Sequence, residues 1–580
     1  MHSYVRPHQF VALRLPSEFT KIQKIEPDST VFLGKFGSFP ANQIIGRPFY
    51  LTFEILDDAD EKDGSCLRVI PAAELHAETL IAEGEGEGDG EELDTNEDGT
   101  PMRTNRETVD DASTQKLTWE EIEALKKESG GAGREIISKL LESHQALDQK
   151  TSFSLAKYML RKRRKYMKRF TVLPLDVSIL TNHMMEDQGA ARIMELRDEM
   201  IGLLGCWGNV HHGGDASLEQ AIAAKPNGRY LVVDDTGGLV VAAMAERMGI
   251  LYPHDGDDYE EQGSSDEPKK NEAEQAQDDE QPPTDSSTRR PARPAHMSAS
   301  GNSITFLHPN KQPNLSLLKY FGYNLDNPDE THPLHKHLKT VSWLQLLDPN
   351  ADPIYSEEPE IIPESELYTM KSNKRGAYHR KRNRWARVQS VVNEARAGEF
   401  DGLIVATAMD PSSVLKYAVP LLAGSAHVAV YSPSIEPLTE LMDLYSTPRK
   451  TAFITRRQQL KEQKLLQSSD QNDANDNESQ DSYLSELMDE FYLDPTLLLA
   501  PTLQHSRVRP WQVLPGRTHP LMSMRGGAEG YIFHGIRVIP TQQAIQAAGN
   551  PSRKKRKVVT QETPTTAVDS GSGVDVEMKS

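Results

Sequence analysis

The order of apolar and polar positions divides the chain into segments with different periods. Residues 8–56 hold short alternating runs, "HQFVALRLPS", "TKIQKI" and "STVFLG", separated by Pro, Asp and Gly. A period of two over a few residues predicts short strands, and several in succession predict a small β-barrel. Gly34, Gly37 and Gly46 in "LGKFGSFPANQIIGRPFYLTFEI" are expected at tight turns. Further on the period becomes helical. Thr118 and Glu121 in "LTWEEIEALKK" have capping-box spacing, and "REIISKLLESH" (134–144) repeats apolar residues at helical intervals. "SFSLAKYMLRKRRKYMKRF" (152–170) predicts a third helix, with Leu155, Met159, Tyr166 and Phe170 on one stripe and Lys157, Arg161, Arg164 and Lys168 on another. From about 171 strand and helix alternate. "FTVLPLDV" precedes a helix at 189–204, and "RYLVVDDTGG" precedes a helix from Leu239 to Met248. "SITFLHP" precedes a helix in "NLSLLKYFGY", and "FDGLIVATAM" (400–409) precedes a helix at 411–422 and the strand "AHVAVYSP" (426–433). Such alternation predicts a parallel α/β sheet.

Charge changes the picture of what lies between these segments. The 580 residues carry a formal net charge of −21 and a mean hydropathy of −0.59. Residues 82–99 hold nine acids and no base, and residues 254–285 hold thirteen acids and two lysines. These two segments account for nearly all the net charge. They lack apolar periodicity, bury too little to offset the entropy of ordering, and are expected to be disordered. Residues 463–482 and the tail 547–580 are polar and low in complexity. No run approaches the 18 or so apolar residues a membrane helix needs, and the N-terminus lacks a secretory apolar core. Two cysteines, Cys66 and Cys206, argue against a disulfide framework or a cysteine-rich metal site.

"GRYLVVDDTGGLVVAAMAERMG" (228–249) has the strand, turn and helix of a cofactor-binding α/β unit. Such a unit needs glycine where backbone approaches the ligand, yet Asp234 and Asp235 stand where the first glycine would be, followed by Thr236, Gly237 and Gly238. A charged side chain there would crowd a ligand and repel a carboxylate. An acid closing the next strand, to bind ribose hydroxyls, is also missing from the sequence that follows. The turn is therefore expected to keep the fold without the cofactor. "DGLIVATAMDP" offers Ala406, Thr407 and Ala408, none a general base near neutral pH, and Asp410 before Pro411 is expected to cap the next helix. "HPLHKHL" (332–338) is a poor fit to a metal site and is expected to be a plain loop.

Positive charge, by contrast, is clustered. Residues 157–169 and 371–387 each carry eight Lys or Arg and no acid. The first includes Lys157, Arg161, Arg164, Lys165 and Lys168. The second includes Lys374, Arg375, Arg380, Lys381, Arg382 and Arg384, interleaved with Tyr378, His379 and Trp385. Guanidinium groups bridge phosphates and aromatic faces stack on bases, so these clusters are expected to bind nucleic acid. Arg553, Lys554, Lys555, Arg556 and Lys557 lie in the polar tail and read as a nuclear-import signal, which places the chain in the nucleus.

Five stretches carry a resemblance: "LGKFGSFPANQIIGRP" (33–48), "NRETVDDASTQKLTWEEIEALKKE" (105–128), "KTSFSLAKYMLRKRRKY" (150–166), "RYLVVDDTGGLVVAAMAERMG" (229–249) and "QVLPGRTHPLMSMRGGAEGYIF" (512–533). Together the chain resembles the non-catalytic subunit of the eukaryotic tRNA (adenine-58-N1)-methyltransferase, in a fungal form. The resemblance implies an α/β protein with a small N-terminal β-barrel, a C-terminal Rossmann-like methyltransferase fold and long disordered acidic insertions. The implied division is a barrel at 1–80, an acidic linker at 81–104 and a helical connector at 105–170. A methyltransferase-type domain without cofactor site follows at 171–546, with insertions near 253–300 and 463–482, then the tail. It also implies a catalytic partner that binds S-adenosylmethionine, an α2β2 heterotetramer and tRNA held across both subunits. Ala406 would occupy the place of the partner's catalytic acid. Arg509, Arg517 and His519 in "RVRPWQVLPGRTHP" are further candidates for tRNA contact, or for hydrogen bonds that order their own loop. Two other readings of the residues are an active methyltransferase using the 229–249 turn, and a general RNA-binding translation factor.

Overall fold

A computed structural model of the protein describes residues 3–56, 66–75, 117–128, 133–144, 152–186, 189–212, 228–252, 302–468, 486–506, 508, 511–514, 517–520 and 529–539. Alternating Val, Leu, Ile and Phe near the N-terminus form the expected short strands: β1 (Phe10–Arg14), β2 (Thr20–Lys24), β3 (Thr30–Phe32), β4 (Ser38–Pro40), β5 (Thr52–Leu56) and β6 (Cys66–Ile70). Three helices follow, α1 (Trp119–Glu128), α2 (Gly133–Glu142) and α3 (Ser152–Tyr166). The capping box at the start of α1 forms as its spacing predicts: Glu121 N–H donates to Thr118 Oγ1 (3.3 Å) and Thr118 N–H to Glu121 Oε2 (2.8 Å).

The segment after α3 departs from the sequence reading. Residues Arg169–Pro174 form β7, which does not open the C-terminal sheet. It completes an antiparallel N-terminal sheet of order β2-β1-β7-β5-β6, with Leu13 opposite Val172 and Phe53 opposite Phe170. The boundary expected at 170/171 therefore falls on a strand of the first domain. Phe170, placed on the helical stripe by its spacing, lies in β7 and stacks on Phe39 (4.5 Å between centroids). The β3–β4 hairpin shares this core through Val31 and Phe39.

A helix α4 (Val177–Glu186) precedes the stretch expected as a helix at 189–204, which is itself a 3₁₀ turn at Ala190–Ile193 followed by α5 (Asp198–Trp207). Met194 and Glu195 follow that turn with φ of 52° and 54°. The larger sheet then assembles from β8 (Arg229–Asp234), β9 (Ser303–His308), β10 (Leu338–Ser342), β11 (Phe400–Ala406), β12 (Leu422–Ser432), β13 (Leu498–Gln504) and β16 (Tyr531–Arg537). A separate hairpin pairs β14 (Trp511–Leu514) with β15 (Arg517–Pro520). The sheet order is β10-β9-β8-β11-β12-β16-β13, with β8 to β12 parallel and β16 antiparallel to both its neighbours.

Both faces of this sheet are buried. Val232, Ile404 and Phe306 face one core with α4, α5 and α6 (Leu239–Met248). Leu231, Val233 and Val405 face another with α7 (Ser372–Arg396), α8 (Pro411–Ala418) and α9 (Glu436–Leu444). That is why these strands read as continuous apolar runs. "NLSLLKYFGY" forms a 3₁₀ segment, Ser316–Phe321, rather than an α-helix. The chain winds outward from β8 to β10 and then returns to β11. The gap between β8 and β11 is the switch point of the doubly wound sheet, where ligands of such folds bind outside the strands' carboxyl ends.

Candidate functional site

At that switch point the turn after β8 is closed on itself. Gly237 and Gly238 have φ of 74° and 91°, which a side chain would resist. The closeness they permit is to the chain's own backbone. Leu317 N–H donates to Gly237 O (3.0 Å), and a Cβ on Gly238 would lie 3.2 Å from Leu315 Cα. Asp234 is buried and accepts from Thr236 N–H (2.6 Å), Thr236 Oγ1 (2.5 Å) and Val241 N–H (3.3 Å), so it caps α6 from inside. Burial pushes its carboxyl up to about 6 against the pull of those hydrogen bonds.

Asp235 does something its sequence position does not suggest. Its N–H donates to Ala406 O (2.8 Å), and its carboxylate accepts from Thr407 Oγ1 (2.5 Å) and Ala408 N–H (3.0 Å). It thus ties the ends of β8 and β11 together across the switch point. Ala406 ends β11 in parallel register with Asp234 and is fully buried, offering neither acid nor base. The strand beside β8 ends in His308, not in an acid. That ring is buried, which lowers its pKa, and Nδ1 lies 2.7 Å from Asn310 O. Asp410 caps α8, as expected, by accepting from Ser412 N–H (3.3 Å). Beyond the Asp235–Thr407 link lies a hollow of about 680 Å³ lined by Met194, Glu195, Asp410, Ser432 and Glu440 among others. Its carboxylates would repel a phosphate or carboxylate.

The second basic cluster has a different character. It lies on α7, a helix of 25 residues and so about 37 Å long. Its last turns are anchored: Val391, Val392 and Ala395 enter the core, and buried Glu394 meets Lys339 Nζ (2.5 Å) and Arg229 Nη2 (3.5 Å). Its first turns are not. Lys374, Arg380, Lys381 and Arg384 are exposed and form no salt bridge among the described residues. Arg375 and Arg382 are half-buried. Two of the interleaved aromatics are committed within the fold rather than presented for stacking. Trp385 Nε1 donates to Tyr355 O (3.1 Å), and the Tyr378 hydroxyl accepts from Ile362 N–H (3.2 Å) and Arg382 Nη1 (3.4 Å). His379 is exposed.

The first basic cluster is split by the fold. Lys157, Arg161, Arg164 and Lys165 lie on α3, but Lys168 lies beyond the helix, where its carbonyl accepts from Ile55 N–H (2.8 Å). Arg164 is paired with Glu18, and Lys165 Nζ sits 5.1 Å from the Tyr166 ring centroid. The β14–β15 hairpin packs against α3, so two candidate sets distant in sequence become neighbours. His519 is on that hairpin with Nδ1 3.1 Å from Pro520 O, and Arg517 is in β15. Arg509 and the Arg553–Lys557 run lie outside the described residues, as do the acidic segments 82–99 and 254–285.

"HPLHKHL" includes a short helix, Leu334–His337. His332 Nε2 lies 3.1 Å from Phe321 O and His337 Nδ1 2.6 Å from Asn302 O. Among the described residues no group of three His, Cys, Asp or Glu could hold a metal, and no helix is long and apolar enough to cross a membrane.

The Gcd10p family model matches residues 4–371. The chain belongs to the Gcd10p family. It is 94% identical to a protein of Aspergillus oryzae named tRNA (adenine(58)-N(1))-methyltransferase non-catalytic subunit trm6, over the whole of both chains. The same name is carried by relatives from Aspergillus fumigatus, 67% identical over the whole of both chains, and Schizosaccharomyces pombe, 29% identical over 96% of each. Among solved structures it is similar to a SAM-dependent O-methyltransferase from Thermotoga maritima, at TM-score 0.36 and 9% identity over 93% of this chain and 97% of that one. It is also similar to the tRNA (m1A58) methyltransferase TrmI of Aquifex aeolicus, at TM-score 0.33 and 9% identity over 93% and 100%.

Proposed function

We propose that this chain is the non-catalytic subunit of the tRNA methyltransferase that forms 1-methyladenosine at position 58. The observation that carries this is Asp235, whose carboxylate is used on Thr407 and Ala408 at the place where a doubly wound sheet would receive its ligand. The chain holds no S-adenosylmethionine of its own. A catalytic partner of related fold holds it, and two copies of each form a heterotetramer. This subunit binds tRNA through α7, α3 and the neighbouring hairpin. Arg553–Lys557 directs the complex to the nucleus. The target adenine is stacked and paired inside folded tRNA, and exposing it costs a few kcal/mol. Phosphate contacts made by this subunit offset that cost, and the partner performs the transfer.

Calorimetric titration of S-adenosylmethionine into the full chain, alone and with its partner, tests the reading. The expected result is no heat alone and one site per heterodimer in the complex. Saturable binding to the chain alone would overturn it and make the 229–249 turn a catalytic site.

A further inference from the structure

A cavity of about 340 Å³ lies where the exposed part of α7 meets its anchored end. That is near the lower end of ligand-pocket sizes. Its lining is His335, Lys336, Lys339, Arg387, Ser390 and Val391. The two sides come from segments some fifty residues apart, the short Leu334–His337 helix with the strand after it, and α7. Arg387 Nη2 donates to His335 O (3.2 Å), which fixes one side of the guanidinium and leaves other N–H groups to donate. Lys336 and Ser390 are exposed. His335 Nδ1 is buried and has no hydrogen-bond partner among the described residues. Burial and the nearby Arg387 lower the His335 pKa, with Glu330 and Asp329 pulling weakly the other way. Lys339, in the lining, is paired with buried Glu394, whose carboxylate also meets Arg229. The lining itself contains no acid.

The cavity does not stand alone. Arg380, Arg384 and Arg387 are spaced by four and three residues, so they follow one line along α7. The line covers about 10 Å and ends in the cavity, because the next position on it, Val391, turns into the core.

We propose that this cavity is a socket for one phosphate group of a bound RNA, with Arg387, Lys336 and Ser390 as its donors and the Arg380–Arg384 line guiding the strand towards it. It rests on the tRNA-binding reading above and adds a fixed point to it. Exposed cations attract a polyanion in any register, whereas a walled pocket holding a planar donor fork selects one. The phosphate chemistry alone would also suit a free nucleotide. The continuity with the arginine line favours the phosphodiester of a strand.

The test uses the full chain with its catalytic partner, titrated with a tRNA transcript over a range of salt. Lys336→Ala and Arg387→Lys probe the socket, and Arg380→Ala and Arg384→Ala probe the line. Lys336 and Arg380 are exposed, so their variants are expected to melt like the parent. Lys336→Ala should lower the slope of log affinity against log salt by about 0.9, equivalent to roughly eight-fold weaker binding at 0.1 M. Arg387→Lys keeps the charge, so its slope should stay while affinity falls through the lost fork. Inorganic phosphate at millimolar concentration should compete with the parent more strongly than with Lys336→Ala. Loss in the line variants without loss in Lys336→Ala overturns the socket and leaves the RNA reading standing. No loss in any of the four overturns both. Micromolar binding of adenosine monophosphate that Lys336→Ala abolishes, with tRNA affinity unchanged, assigns the cavity to a free nucleotide instead.

Discussion

The turn after β8 and the outer half of α7 use polar groups in opposite ways. At the turn, Asp234, Asp235 and Thr236 are satisfied by neighbours in the same chain, down to the two N–H groups of Thr236 and Val241. On α7, four cations face water with no ion-pair partner among the described residues. A group already hydrogen-bonded inside the fold has little left to offer a ligand. An exposed cation has surrendered nothing and can be neutralised by a phosphate. The polar groups at the end of β8 are thus spent inside the fold, whereas those on the outer half of α7, on the opposite face of the sheet, are not.

Breaking the inward half of this contrast should destabilise the protein, and breaking the outward half should not. The largest effect is expected at Glu394, where α7 changes from one character to the other. Glu394→Ala leaves Lys339 and Arg229 buried without their shared carboxylate and should destabilise by about 3–5 kcal/mol, read as a lower urea midpoint. Asp234 comes next. Its folded pKa, about 6, is above the ordinary aspartate value. The folded state therefore binds the proton more tightly, and the stability this group contributes is greatest below about pH 4. It is lost as pH rises through about 6, by up to about 3 kcal/mol. Asp234→Asn should flatten the stability profile over that window, and an unchanged profile would refute the buried charge. Gly238→Ala places a side chain at positive φ against Leu315 backbone and should lower stability by about 1–3 kcal/mol, with tRNA affinity intact. The smallest effect on stability is expected outside: Arg384→Ala should shift it by no more than about 0.5 kcal/mol while reducing the salt slope for tRNA by about 0.9.

Local signals carried much of the larger sheet. The strand, glycine turn and helix at 229–248 and the Thr118–Glu121 box and Asp410 cap are local features, and each forms where its residues stand. Partnership was not local. The run 169–174 has the same apolar pattern whichever sheet it joins, and only its pairing with β1 and β5 decides. Helix α7 is polar over most of its surface, so its period is weak until Val391, and the commitment of Tyr378 and Trp385 to residues 355–362 is invisible in sequence. The Asp235 link and the His335–Arg387 cavity each join residues at least fifty positions apart. The pair of acids in "DDTGG" and the lone Lys336 in "HKH" were the local traces, and neither names its partner.

The placement of β7 also bears on how the chain is made. The ribosome completes β1 to β6 about one hundred residues before it reaches β7, an interval of roughly 5–20 s at usual elongation rates. During that time β1 and β5, which flank the missing strand, each have an open edge. Open edges invite pairing with other chains. A fragment stopped at residue 80 would remain permanently in that state, whereas one extended through Pro174 would close its own sheet. The first domain is therefore finished by sequence that lies after the connector, and the nascent chain needs protection until that strand arrives.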